Sequence, residues 1–190
     1  SGFLLFNIYV SVGNDVDRSV QYSRPLLEFP AVTPLDAIIA RFLLNFITHI
    51  MVIAIIITGI VVVYDLHQIM DLATFAGALL LAGLFALSIG TFNCYLFVAF
   101  PSYGQIWAIL NRPMFLLSGI FFLFESAPTK FQAILWYNPM VHIIGLARSG
   151  IYPTYEAAYV SIPYVAGLSL MLLMIGLHLI RRYLRDAMNL

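Results

Sequence analysis

Residues 37–63 read AIIARFLLNFITHIMVIAIIITGIVVV, an apolar run broken near its start by Arg41, Asn45 and His49. A bilayer core about 30 Å thick is crossed by roughly 20 apolar residues in a helix, so this run is long enough to span. The rest of the chain agrees with it. Of 190 residues 62% are hydrophobic and only 9% charged, where soluble domains carry about 45–50% apolar and about 25% charged residues. A water-soluble globule is excluded. Nine basic side chains balance nine acidic ones, so there is no excess charge for binding nucleic acid or another polyanion. Cys94 is the single cysteine, and His49, His67, His142 and His178 are far apart. The sequence therefore offers neither an internal disulfide nor a metal-ligand spacing, and no metal site is expected.

Working outward, three further spans are predicted: Leu72 to about Ala99, Gln105 to Phe124, and Pro163 to Ile180. Asn111, Arg112 and Pro113 interrupt the second of these, which makes a kink there the expectation. Ser1 to Gly13 is apolar but too short to cross, and reads as the tail of a span whose beginning is missing. The fold class expected is an all-α integral membrane protein: one transmembrane domain over 1–190, with four complete spans plus the tail of a truncated one. Residues 14–36, punctuated by Pro25, Pro30 and Pro34, form a loop with one short helix around Val16 to Arg24. Residues 125–161 are too long for a simple loop and too broken for a span. They hold two short re-entrant helices, Thr129 to Tyr137 and Pro139 to Gly150, the second with Asn138 as N-cap and Gly150 as C-cap.

Orientation follows from the basic residues near helix ends. With 14–36 and the C-terminus on the cytoplasmic side, Arg18, Arg24, Arg41, Arg181, Arg182 and Arg185 lie inside, and only Lys130 and Arg148 lie outside.

Three groups of residues are candidates for chemistry or assembly. Ala78, Ala82, Ala86 and Gly90 recur every four residues and form a small-residue helix-packing face, for a helix of this chain or of a second copy. Arg41, Asn45 and His49 share one helix face near its cytoplasmic end and could border a substrate path; headgroup contact by Arg41 with local bonding of the other two is the plainer alternative. Arg112 lies roughly 12 Å into its helix at about 1.5 Å per residue, near the limit of snorkelling, so it faces protein, water or an anion on a transported molecule. Trp107 belongs to an aromatic cluster that an interfacial belt explains first; sugar rings also stack on flat aromatic faces, so some of the cluster could line a glycan path. No phosphate loop, nucleophile elbow or paired carboxylate frame occurs, so no catalytic residue is assigned.

The order of these parts resembles the membrane subunit of polysaccharide-exporting ATP-binding-cassette transporters, the bacterial capsule and O-antigen export permeases. The resemblance runs from Arg18 onward and rests on RPLLEFPAVTPLDAIIAR (24–41), GQIWAILNRPMFLLSGIFF (104–122), YNPMVHIIGLARSGIY (137–152) and TYE (154–156). NPMVH and the PLD and AR elements point to capsule exporters within the class. The resemblance implies an inner-membrane homodimer enclosing a path for lipid-linked polysaccharide. It also implies two cytoplasmic ATPase subunits, which would hold the ATP and magnesium, leaving no cofactor on this chain. Periplasmic and outer-membrane export proteins are further implied partners. The family's coupling helix would lie within 17–30, with Val20, Arg24, Leu26, Leu27 and Phe29 at the matching positions. A membrane-embedded lipid- or glycan-modifying enzyme and a passive channel or carrier are the alternative classes.

Overall fold

The computed structural model describes residues 2–23, 33–64, 70–100 and 102–188. Among them every regular element is a helix: α1 Gly2–Asp17, α2 Ser19–Tyr22, α3 Pro34–Tyr64, α4 Leu72–Ala99, α5 Tyr103–Leu117, α6 Thr129–Leu135, α7 Pro139–Ile151 and α8 Ile162–Met188, with a single 3₁₀ turn at Phe124–Ser126. Among the described residues three stretches are long and apolar enough to cross a membrane, Pro34–Val63, Leu72–Ala99 and Ile162–Tyr183.

The third predicted span behaves differently. Instead of running from Gln105 to Phe124, α5 passes through Pro113 and stops at Leu117, a length of about 22 Å at about 1.5 Å per residue. The chain breaks at Gly119, whose φ of 77° lies in the left-handed region that a residue without Cβ enters freely. Pro113 thus lies inside α5, and the helix stops four residues later. At the other end of the chain, α1 continues past Gly13 to Asp17, and α2 follows after a one-residue break at Arg18.

α4 is the hub. One face of it receives α1: Tyr9 stacks on Phe85 with ring centroids 5.3 Å apart, and a Cβ on Gly90 would lie 2.7 Å from Val16 Cβ and 2.9 Å from the Gly13 carbonyl oxygen. Another face receives α8, where a Cβ on Gly176 would lie 2.8 Å from the Phe92 backbone nitrogen. Ala78, Ala82 and Ala86 are fully buried in the same core. The small-residue face is therefore occupied by helices of this chain. Side chains this short let backbones approach closely, which is how helices gain contact where lipid removes the hydrophobic drive.

The N-terminus of α4 is fixed by Asp71, whose carboxylate accepts from the Ala73 and Thr74 amides. The Asp71 amide in turn donates to the Gly150 carbonyl at 2.8 Å. Gly150 does not end α7 as expected: the helix runs on to Ile151 with Tyr152 as its C-cap. The glycine serves a different need, since a Cβ there would lie 2.7 Å from the Phe75 backbone nitrogen. α6 ends at Leu135, two residues before the expected Tyr137, and α8 extends beyond Ile180 through the three arginines.

Candidate functional site

Two polar assemblies sit at opposite ends of this bundle. At the end where α1 finishes and α3 begins, Asp17 is 2% exposed and Asn93 of α4 is 1% exposed. Around them Tyr9 donates its hydroxyl to Asn111 Oδ1 at 2.9 Å, joining α1 to α5. Tyr103, in the first turn of α5, donates to Asn93 Oδ1 at 2.8 Å, and Trp107 stacks on Tyr103 with centroids 6.2 Å apart. Gln21 of α2 reaches the Phe97 carbonyl. A chain of side chains thus links α1, α4 and α5 where the proline-rich loop departs. The sequence reading places Asp17 in the short helix of the 14–36 segment, outside the bundle, and does not single out Asn93. The available signal was that Asp17, Asn93, Tyr103 and Asn111 are polar residues near the same end of three neighbouring helices, where burying them demands partners.

At the opposite end, α7 holds the broken end of α5. Arg148 donates from Nη1 to the Phe122 carbonyl at 3.1 Å, and from Nη2 to the Gly119 and Ile120 carbonyls at 2.7 and 3.2 Å. Asn138 caps α7 by accepting from the Met140 amide, and its Nδ2 donates to the Leu117 carbonyl at 3.0 Å. The last carbonyl of α5 and three carbonyls of the segment that follows it are therefore met from α7 and its cap, the requirement that any interrupted helix faces away from water. Beside this clamp His142 is fully buried. Its Nδ1 accepts from the Ser161 amide at 3.2 Å, and this fixes Nε2 as the donor to the Trp136 carbonyl at 2.7 Å. Burial holds its pKa below the ordinary histidine value. Trp136, Tyr164 and Tyr159 surround the ring. Tyr155 donates to the Glu125 carboxylate at 3.1 Å, which ties the segment after α7 to the 3₁₀ turn.

The residues singled out from sequence fall as follows. Asn45 donates to the Arg41 carbonyl at 3.0 Å, and His49 bonds the Asn45 carbonyl at 2.9 Å. Each side chain thus makes a hydrogen bond to the backbone of α3 itself. The Arg41 guanidinium lies 5.6 Å from the centre of the Tyr22 ring, a cation–π contact that ties the start of α3 to α2. Arg112 and Arg41 are exposed, and Trp107 is half-buried with its ring in the α1–α4–α5 assembly. Among the described residues no hydrogen bond or ion pair joins Arg41, Asn45 or His49 to Arg112 or Trp107. Val20 is 1% exposed and belongs to the core, while its neighbour Tyr22 is 61% exposed. Arg24, Leu26, Leu27 and Phe29 lie outside the described residues.

An α-helical bundle with three membrane-length helices among the described residues, and an interrupted helix braced by short ones, is the architecture of a multi-span membrane protein. Residues 1–152 match the family model described as ABC-2 type transporter, and the chain belongs to that family. It is 30% identical over 184 residues to the polysialic acid transport protein KpsM of Escherichia coli, an alignment covering 95% of this chain and 70% of the relative. To the capsule polysaccharide export inner-membrane protein CtrC of Neisseria meningitidis it is 26% identical over 183 residues, 96% of this chain and 69% of the relative. The capsule polysaccharide export inner-membrane protein BexB of Haemophilus influenzae gives 26% over 184 residues with the same shares.

Proposed function

We propose that this chain is the membrane subunit of an ATP-driven exporter that moves a capsular or related cell-surface polysaccharide across the bacterial inner membrane. One observation carries the reading: relatives named for capsule or polysialic acid transport align over 95–96% of the chain. Two copies would enclose the path, with two separate ATP-binding-cassette subunits bound at the α1–α2 end. The uncovered face of α5, on which no residue is buried, supports the pairing of copies. The exposed Tyr22 and the apolar Leu26, Leu27 and Phe29 in a polar, proline-rich loop support the docking of an ATPase. Arg112, exposed on α5, is the side chain suited to guide an anionic group on the lipid-linked glycan. Periplasmic and outer-membrane export proteins would receive the product.

Complementation tests the reading. Expressed in a bacterium lacking its own capsule-export permease, with the cognate ATPase, the complete protein should restore surface polysaccharide and co-purify with that ATPase. Leu27→Asp combined with Phe29→Asp should abolish both, because a charge would be buried in the docking groove. Restored export without an associated ATPase would sink the proposal. For Arg112, export per folded molecule should fall in Arg112→Gln and recover in part in Arg112→Lys, which keeps the charge but not the planar fork. Unchanged normalised export would remove it from the path.

A further inference from the structure

Between α1, α4 and α5 lies a small pocket lined by Tyr9, Asn14, Asp17, Asn93, Trp107 and Asn111, with about 10 Å³ in which the centre of a water molecule can move. Asp17 and Asn93 each carry a polar atom, Oδ1 and Nδ2, that meets no hydrogen-bond partner among the described residues, although the side chains are 2% and 1% exposed. The Arg18 Nε lies 3.9 Å from Asp17 Oδ1, too far to bond it, and the Arg18 side chain is 55% exposed. A buried polar atom without a partner costs on the order of 1–3 kcal/mol, so two at one pocket call for a ligand that satisfies both. The carboxylate oxygen needs a donor, and the amide nitrogen is a donor that needs an acceptor. A bare cation would suit Asp17 but would meet the Asn93 amide hydrogens. With the amide as it stands, its Oδ1 is taken by the Tyr103 hydroxyl, and the group left free is the Nδ2 donor. Water gives a hydrogen to one atom and a lone pair to the other, and the space is that of one water.

We propose that this pocket is a binding site for one water molecule, which donates to Asp17 Oδ1 and accepts from Asn93 Nδ2. The water completes a hydrogen-bonded path from the end of α1 through Asn93 to Tyr103 and the start of α5. It anchors the end of α1, just before α2, whatever the protein transports.

X-ray hydroxyl-radical footprinting in H₂¹⁸O tests it, because bound water becomes the radical source for the side chains beside it. With the complete permease in lipid nanodiscs, Tyr9 should take up ¹⁸O several-fold faster than Phe85. That ring is equally buried at 2% exposed and stacks on Tyr9, but it does not line the pocket. Asn93→Leu, which fills the pocket, should bring Tyr9 down to the Phe85 level; Asp17→Leu closes it from α1 and serves if the first variant does not fold. Tyr9 labelled no faster than Phe85 in wild type, or labelled equally in a folded pocket-filling variant, overturns the site. So does a thermal midpoint that rises in sodium chloride over choline chloride and loses that rise in Asp17→Asn, which would assign the pocket to a cation.

Discussion

Gly90 and Gly176 bring α1 and α8 against α4 by having no side chain, whereas Arg148 and Asn138 bring α7 against α5 by having long, polar ones. The first region pairs uninterrupted helices whose backbone groups are already bonded internally, so close approach is all that remains to be gained. The second region contains the broken end of α5, and there the backbone carbonyls themselves must be met. The difference teaches where each region is vulnerable: added volume should break the first, and a removed donor the second.

The largest effect is expected along α4. In Gly176→Val the new Cβ would sit 2.8 Å from Phe92 N, 2.9 Å from Phe92 Cα and 3.0 Å from Thr91 C, all backbone atoms that cannot turn aside. Overpacking against side chains typically costs about 1–3 kcal/mol; against backbone the helices must part, and folded protein extracted from the membrane should be nearly lost. Gly77→Val, at a position where a Cβ meets nothing within 4 Å, should extract like wild type. Equal yields for the two variants would show that α4 and α8 do not pack as described.

Next comes the clamp. Arg148→Gln removes the donors to three carbonyls, and with hydrogen bonds to charged groups worth about 1.5–3 kcal/mol each and not additive, a loss of about 2–4 kcal/mol is expected. Arg148→Lys should recover only part, since one ammonium cannot reproduce the fork. Thermal unfolding in detergent gives the cost. Cysteine labelling at Phe121, in a chain where Cys94 is replaced, reports whether the segment after α5 comes loose. Unfolding and labelling both unchanged in Arg148→Gln would leave α5 held by something else. Asn138→Ala should cost less, about 1–2 kcal/mol for a lost N-cap, with the Leu117 carbonyl left to find water.

These two regions were not equally legible in the sequence. The spacing of Ala78, Ala82, Ala86 and Gly90 identified the packing face of α4, because periodicity along one helix is a local property. Asn138 followed by Pro139 announced the start of α7 for the same reason. What covered that face, and what Arg148 did, depended on residues far away: its three acceptor carbonyls lie 26 to 29 positions earlier in the chain. Arg148 was read as an external basic residue because only its charge and position were visible. The end of α5 was misplaced on similar grounds. Apolar residues continue past Leu117, and hydropathy cannot register that Gly119 turns left-handed. Asp17 and Asn93 illustrate the limit for the candidate site, since each looked unremarkable alone and their burial together is a tertiary fact.

The smallest effect expected depends on pH and lies at His142. Its Nδ1 accepts from the Ser161 amide one residue before α8 begins, so the ring must be neutral for the joint between α7 and α8 to hold. Protonation would place a second N–H against that amide and a charge at a fully buried position, which is why burial holds the pKa below the ordinary value. The sign follows. Between the lowered folded pKa and the unfolded value near 6.5, the unfolded chain binds more protons, so stability falls as pH drops through that interval and is intact above it. The unfolding midpoint of wild type should therefore decline on going from pH 7.5 to 5.5, and the decline should be shallower in His142→Phe, which fits among Trp136, Tyr159 and Tyr164 without a titrating nitrogen. His142→Phe should be less stable than wild type at pH 7.5, because the Ser161 amide and the Trp136 carbonyl lose their partner. The pH slope and the offset thus separate the two roles of the ring. Identical slopes in the two proteins would mean that other groups carry the acid sensitivity and that His142 titrates as it would in the open chain.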